Sequence, residues 1–123
     1  MNGDKKVLLV VDDNIGIIES MEMLFCDDYR VLAASSVTEA LNILGGIKPD
    51  IILLDYLMPG LNGIQLLREI KQMKMASRII LFTASVWESV REEVMDLGVD
   101  GFIRKPFDIW EIEALARGIA PAA

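Results

Sequence analysis

The stretch VLLVVDDN, Val7 to Asn14, carries the decisive pattern of the chain. Five apolar residues, three of them valine, run straight into two adjacent carboxylates, Asp12 and Asp13. An apolar run of this length, rich in β-branched residues and ended by polar ones, reads as a strand buried on both faces. The pattern returns at Val31–Ala34, Ile51–Leu54, Ile79–Phe82 and, in shorter form, Gly101–Ile103, with a helix-length segment between each pair. Those segments carry start signals: Ser36 with Glu39, Asn62 with Gln65, Ser85 with Glu88 and Asp108 with Glu111 fit or approximate a capping box. Gly45 with Gly46, and Gly98, read as helix stops. The first helix is expected to begin near Asn14 and the last to run from about Asp108 to Gly118. Strands alternating with helices predict βαβ units, and so an α/β fold with a doubly wound, five-stranded parallel sheet.

Sheets of this kind bind ligands beyond the carboxyl ends of their strands, where the strand order reverses. Here those ends supply Asp12 and Asp13, then Asp55, Thr83 and Lys105. Gathered in one pocket the carboxylates repel, at about 4 kcal/mol for a pair ~4 Å apart in an effective dielectric of about 20. A divalent cation removes that conflict, and a ligand set made only of hard oxygens suits Mg2+. Lys105 offers a mobile positive charge and Thr83 a neutral donor. A metal, a lysine and a hydroxyl converging on a carboxylate describe phosphoryl transfer onto Asp55, a reaction that needs mostly positioning and charge neutralisation. Each residue also has a plainer reading. Asp12, Asp13 and Asn14 could cap the first helix, Asp55 could be a turn acid, and Lys105 a solvated charge before Pro106. Their recurrence at successive strand ends favours the site.

Composition narrows the class of function. A chain of 123 residues can bury one sizeable core, and residues 1–123 read as a single domain with a folded core of about 5–119 and a tail or linker start at 120–123. The net charge of −7 argues against direct nucleic-acid binding or an anionic membrane surface, which would need a concentrated basic face. No stretch approaches the ~20 apolar residues of a membrane span, and no signal peptide is recognisable, so the expected location is cytoplasmic. With one cysteine and no histidine the chain has no internal disulfide, no Cys/His nucleophile pair and no imidazole ligand. Cys26 and the methionines, including Met21, Met23, Met73 and Met95, are expected to serve packing.

The motifs VVDDN (Val10–Asn14), IILLDYLMPGLNG (Ile51–Gly63), IILFTAS (Ile79–Ser85) and GFIRKPF (Gly101–Phe107) resemble, in order and spacing, those of two-component response-regulator receiver domains. The resemblance covers nearly the whole chain. It implies a flavodoxin-like (βα)5 fold with strand order 2-1-3-4-5, and a phosphoacceptor switch rather than an enzyme. Asp55 would receive a phosphoryl group from a partner's phosphohistidine. Asp13, Asp55 and the Leu57 main-chain carbonyl would bind Mg2+ directly, with Asp12 acting largely through water, while Thr83 and Lys105 hold the phosphoryl oxygens. The implied partners are a histidine kinase or phosphotransfer protein, a downstream protein or output domain, and a second copy of the chain on phosphorylation. Leu57 and Ser85 would flank the path of the hydrolytic water. Leucine cannot orient that water, which predicts slow autodephosphorylation. Phe102 stands where receivers often carry tyrosine, so an aromatic switch there lacks a phenolic hydroxyl; its plainer reading is a core residue of the fifth strand.

The fourth helix suggests where the signal leaves. Val86, Val90, Val94 and Leu97 form an apolar stripe at helical spacing that should face the sheet. Trp87, Arg91 and Met95 form a second stripe, rich in the residue types favoured at interfaces. Its plainer reading is a partly buried Trp87 covering the helix end. Three other functions compete with the switch. One is a Mg2+-dependent phosphatase of the haloacid-dehalogenase type, disfavoured because Asp12 and Asp13 are adjacent rather than one residue apart and because a substrate-gating cap has no room. Another is a receiver-like scaffold that works without phosphorylation. A flavin-binding domain is the weakest, since Asp12, Asp13 and Asn14 stand where a flavin phosphate would want Ser, Thr and Gly donors.

Overall fold

A computed structural model of the chain describes residues 5–55, 63–83, 87–104, 110–112 and 114. Its elements alternate as the hydrophobic runs require: β1 (Lys6–Val11), α1 (Ile15–Phe25), β2 (Tyr29–Ala34), α2 (Val37–Leu44), β3 (Ile51–Asp55), α3 (Gly63–Gln72), β4 (Arg78–Thr83), α4 (Trp87–Asp96) and β5 (Gly101–Arg104). Trp110–Ile112 and Ala114 are helical, inside the expected last helix, whose ends lie outside the described residues. The strands extend beyond their apolar runs, because backbone pairing accepts polar residues such as Arg78 and Thr83 as readily as apolar ones. All five strands are parallel, in the order β2-β1-β3-β4-β5.

The alternation of side chains along each strand divides the core in two. Leu8, Val10, Ile51, Leu53, Ile80 and Phe82 pack on one face with Ile18, Met21 and Phe25 of α1 and with Ile112. Leu9, Val11, Ile52, Leu54, Ile79 and Leu81 pack on the other with α2, with Leu66, Leu67 and Ile70 of α3, and with Val94 of α4. Central strand β3 is buried along its whole length. That explains why it reads as a continuous apolar run and not an alternating one.

Local signals set the helix ends. Asn14 caps α1, its side-chain oxygen accepting from Gly16 N at 2.8 Å and Ile17 N at 3.3 Å. Ser36 Oγ accepts from Glu39 N at 3.1 Å, and the Glu39 carboxylate reaches back to Ser35 N at 2.6 Å, one residue earlier than the standard box. Gly45 ends α2 in ordinary right-handed geometry, with φ −68°, whereas Gly98 after α4 adopts φ +81°, the left-handed stop. Asn62, Ser85 and Asp108, three of the expected helix-start residues, lie outside the described residues.

Two packing expectations are corrected. Cys26 is exposed, because it follows α1 as its C-cap while Phe25 takes the buried position. Of the four methionines, Met21 is buried, but Met23, Met73 and Met95 are exposed. Met21 shares the Ile18 and Phe25 stripe, whereas Met23, two residues on, falls on the opposite side of α1.

At the amino rim of the sheet, acids do structural work. Asp50 Oδ2 accepts from Val7 N at 2.7 Å, and Asp100 Oδ2 accepts from Ile79 N at 2.8 Å. Each satisfies a main-chain donor of the neighbouring strand near its start.

Candidate functional site

The chain builds β2 on one side of β1 and then crosses to place β3 on the other, so the strand order reverses between β1 and β3. Register pairs Val11 with Leu54, which brings Asp12, one residue past β1, level with Asp55, the last residue of β3. Asp12 stays tied to the sheet through its N–H on the Ala34 carbonyl at 3.1 Å. Carboxylate oxygens of Asp12, Asp13 and Asp55 all lie within 4.8 Å of one another. Asp12 is fully buried, Asp55 is 6% exposed and Asp13 is exposed. The Asp12 carboxylate is oriented by the Asn14 N–H, which donates to its Oδ1 at 2.9 Å.

Like charges this close repel one another, and a positive group among them offsets the repulsion. At an effective dielectric of about 20, two charges near the far end of that separation repel by roughly 3–4 kcal/mol. The donor set fits one small hard cation. Opposite ligands of Mg2+, each at about 2.0–2.1 Å, stand about 4.2 Å apart, close to the span of the cluster, and the ion commonly keeps waters that complete the contact to a more distant carboxylate.

Thr83 is the last residue of β4, one step past Phe82, which pairs with Asp55. Its main chain is therefore at the same rim, while its side chain lies outside the described residues. Lys105, which directly follows β5, and Leu57, two residues after Asp55, also lie outside them. Phe102 pairs with Leu81 and is half-buried against the cluster that holds Leu81, Val94 and Leu97. Val94 and Leu97 thus face the sheet as their spacing predicts, and Met95 is 50% exposed. Trp87 and Arg91 are placed only as main-chain positions on α4. Ties between α3 and α4 escaped sequence reading: Arg68 forms an ion pair with Glu93, and Lys71 Nζ donates to the Gly98 carbonyl at 2.8 Å. Partners 25 and 27 residues apart leave no local signal.

Residues 8–117 match the family model described as the response regulator receiver domain. The chain is 35% identical over 115 residues to the alkaline phosphatase synthesis transcriptional regulatory protein PhoP of Bacillus subtilis, covering 93% of this chain and 48% of that one. It is 34% identical to sporulation initiation phosphotransferase F of the same organism, with 93% of both covered. It therefore spans about half the length of the first relative and nearly all of the second. Among solved structures, a response regulator receiver domain protein from Clostridium thermocellum superposes with a TM-score of 0.82 at 30% identity, over 93% of this chain and 94% of that one. No helix among the described residues is long and apolar enough to cross a membrane. A parallel 2-1-3-4-5 sheet, an acidic cluster at its switch point and these matches converge: the chain belongs to the response-regulator receiver family, the phosphoacceptor switches of two-component signalling.

Proposed function

We propose that Asp55 is the phosphoacceptor of this receiver and that a histidine kinase or phosphotransfer protein supplies its phosphoryl group. The carrying observation is the meeting of Asp12, Asp13 and a nearly buried Asp55 within 4.8 Å at the strand-order reversal. Asp13 and Asp55 would hold Mg2+ directly with the Leu57 carbonyl, with Asp12 acting through water. Bound there, Mg2+ supplies the positive charge that balances the carboxylates and the oxygens of the transferring group. An Asp55 oxygen forms the new O–P bond as the N–P bond of the donor breaks, and the departing imidazole keeps that electron pair. The Lys105 ammonium and Thr83 hydroxyl steady the phosphoryl oxygens. This is a self-assisting acceptor and not a turnover enzyme, with slow autodephosphorylation because Leu57 cannot orient water. It works in the cytoplasm. Phe102 with Trp87, Arg91 and Met95 forms the surface read by a downstream protein, an output domain or a second copy.

The test is intact-mass analysis after incubation with a small acyl-phosphate donor. One phosphoryl adduct is expected with Mg2+, and none with chelator or in Asp55→Ala. Undiminished labelling of Asp55→Ala, or labelling indifferent to chelator, overturns the assignment.

A further inference from the structure

Two hydrogen-bonded turns interlock at the end of β1. Asp12 Oδ1 accepts the Asn14 N–H at 2.9 Å, and Asn14 Oδ1 in turn accepts from Gly16 N at 2.8 Å and Ile17 N at 3.3 Å. The amide that orients the buried carboxylate thus belongs to the residue whose side chain locks the first turn of α1. Gly16 is fitted to this arrangement, since a Cβ there would meet Asn14 Oδ1 at 3.2 Å, tighter than ordinary contact. From this geometry we infer that Asn14 is a positioning residue for the Mg2+ site, acting on the metal through Asp12. The inference rests on reading the carboxylates as that site.

The physical chain is short. A side-chain cap at Asn14 holds its φ and ψ at −91° and 111°, and those angles lock the first turn of α1 against the peptide plane whose N–H meets Asp12. Without the cap, the helix start frays and the amide no longer fixes the carboxylate. Groups that orient a metal ligand from behind typically change affinity by about 10–100-fold when removed. Here the orienting amide survives and loses only its support, so a loss of about three- to tenfold is expected.

Isothermal calorimetry of chelator-stripped protein with Mg2+ provides the test. Asn14→Ala should weaken binding by about three- to tenfold, and Asn14→Ser, which restores a capping oxygen, should recover most of it. Gly16→Ala, which crowds that oxygen without removing it, should weaken binding in the same direction. Ser36→Ala removes an equivalent cap from α2 and reports the effect of lost helix stability alone. It should leave Mg2+ affinity unchanged. Wild-type affinity in Asn14→Ala, or an equal loss in Ser36→Ala, overturns the inference. A wild-type protein that takes no Mg2+ overturns the metal reading itself, and the inference with it.

Discussion

Aspartate does opposite work at the two rims of the sheet. Asp50 and Asp100 each meet a main-chain N–H and close a polar gap in the ladder. Asp12 and Asp55 meet each other and Asp13, and two of these three are buried. At the first rim a carboxylate gains an amide donor, whereas at the second three carboxylates stand within 4.8 Å of one another and their charges repel. Replacing one repelling carboxylate by its neutral isostere should therefore stabilise the protein when no cation is present. We expect Asp55→Asn in chelator to exceed wild type by about 1–3 kcal/mol in denaturant unfolding. Saturating Mg2+ should narrow or reverse that gap, because a ligand that binds only the folded state favours the chain that binds it better. An Asn variant less stable than wild type in chelator would show that the cluster is not under charge strain.

Helix ends show how far local chemistry reaches. The stop after α4 is a glycine at φ +81° and is legible, but the turn after α3 places Lys74 at φ +56°, where an L side chain is disfavoured. Nothing in Gln72, Met73 and Lys74 announces that turn. Lys74→Gly should relieve the left-handed strain and raise stability by about 0.5–1 kcal/mol, read as a higher denaturant midpoint at unchanged slope. A lower midpoint would mean that the lysine conformation costs nothing. In the sequence the cap of α1 is open among Asp12, Asp13 and Asn14. Asn14 takes it because the exposed Asp13 carboxylate joins the acidic cluster, while Asn14 faces the free amides of the helix. The exposed Cys26, Met23, Met73 and Met95 have a related cause: apolar character does not say which side of a helix faces the sheet, as for Met23 and Met95, or where the helix stops, as for Cys26 and Met73.

At the scale of the molecule, the site and the proposed partner surface share one packed layer. Leu81, Phe102, Val94 and Leu97 belong to the same apolar cluster, and Thr83 follows Leu81 by two residues along β4. On the proposed reading, a shift at the end of β4 would reach β5 and α4 together, since close-packed interiors transmit displacement. With Trp110→Phe removing the other, 65% exposed tryptophan, Trp87 emission should change when beryllofluoride is added to the Mg2+-loaded protein. Unchanged emission with Asp55 demonstrably occupied would falsify this coupling. What the sequence determined by itself was local: strand and helix alternation, because hydrophobic period is a property of neighbouring residues, and acids after the first and third apolar runs. The order of the strands is not in the period, and came only with the family resemblance. Tertiary pairing alone set Asp12 level with Asp55, gave Asp50 and Asp100 their strand amides and joined Arg68 to Glu93. Those contacts depend on crossovers that carry the chain over both faces of the sheet, and the position of each partner is fixed only when the helices have packed.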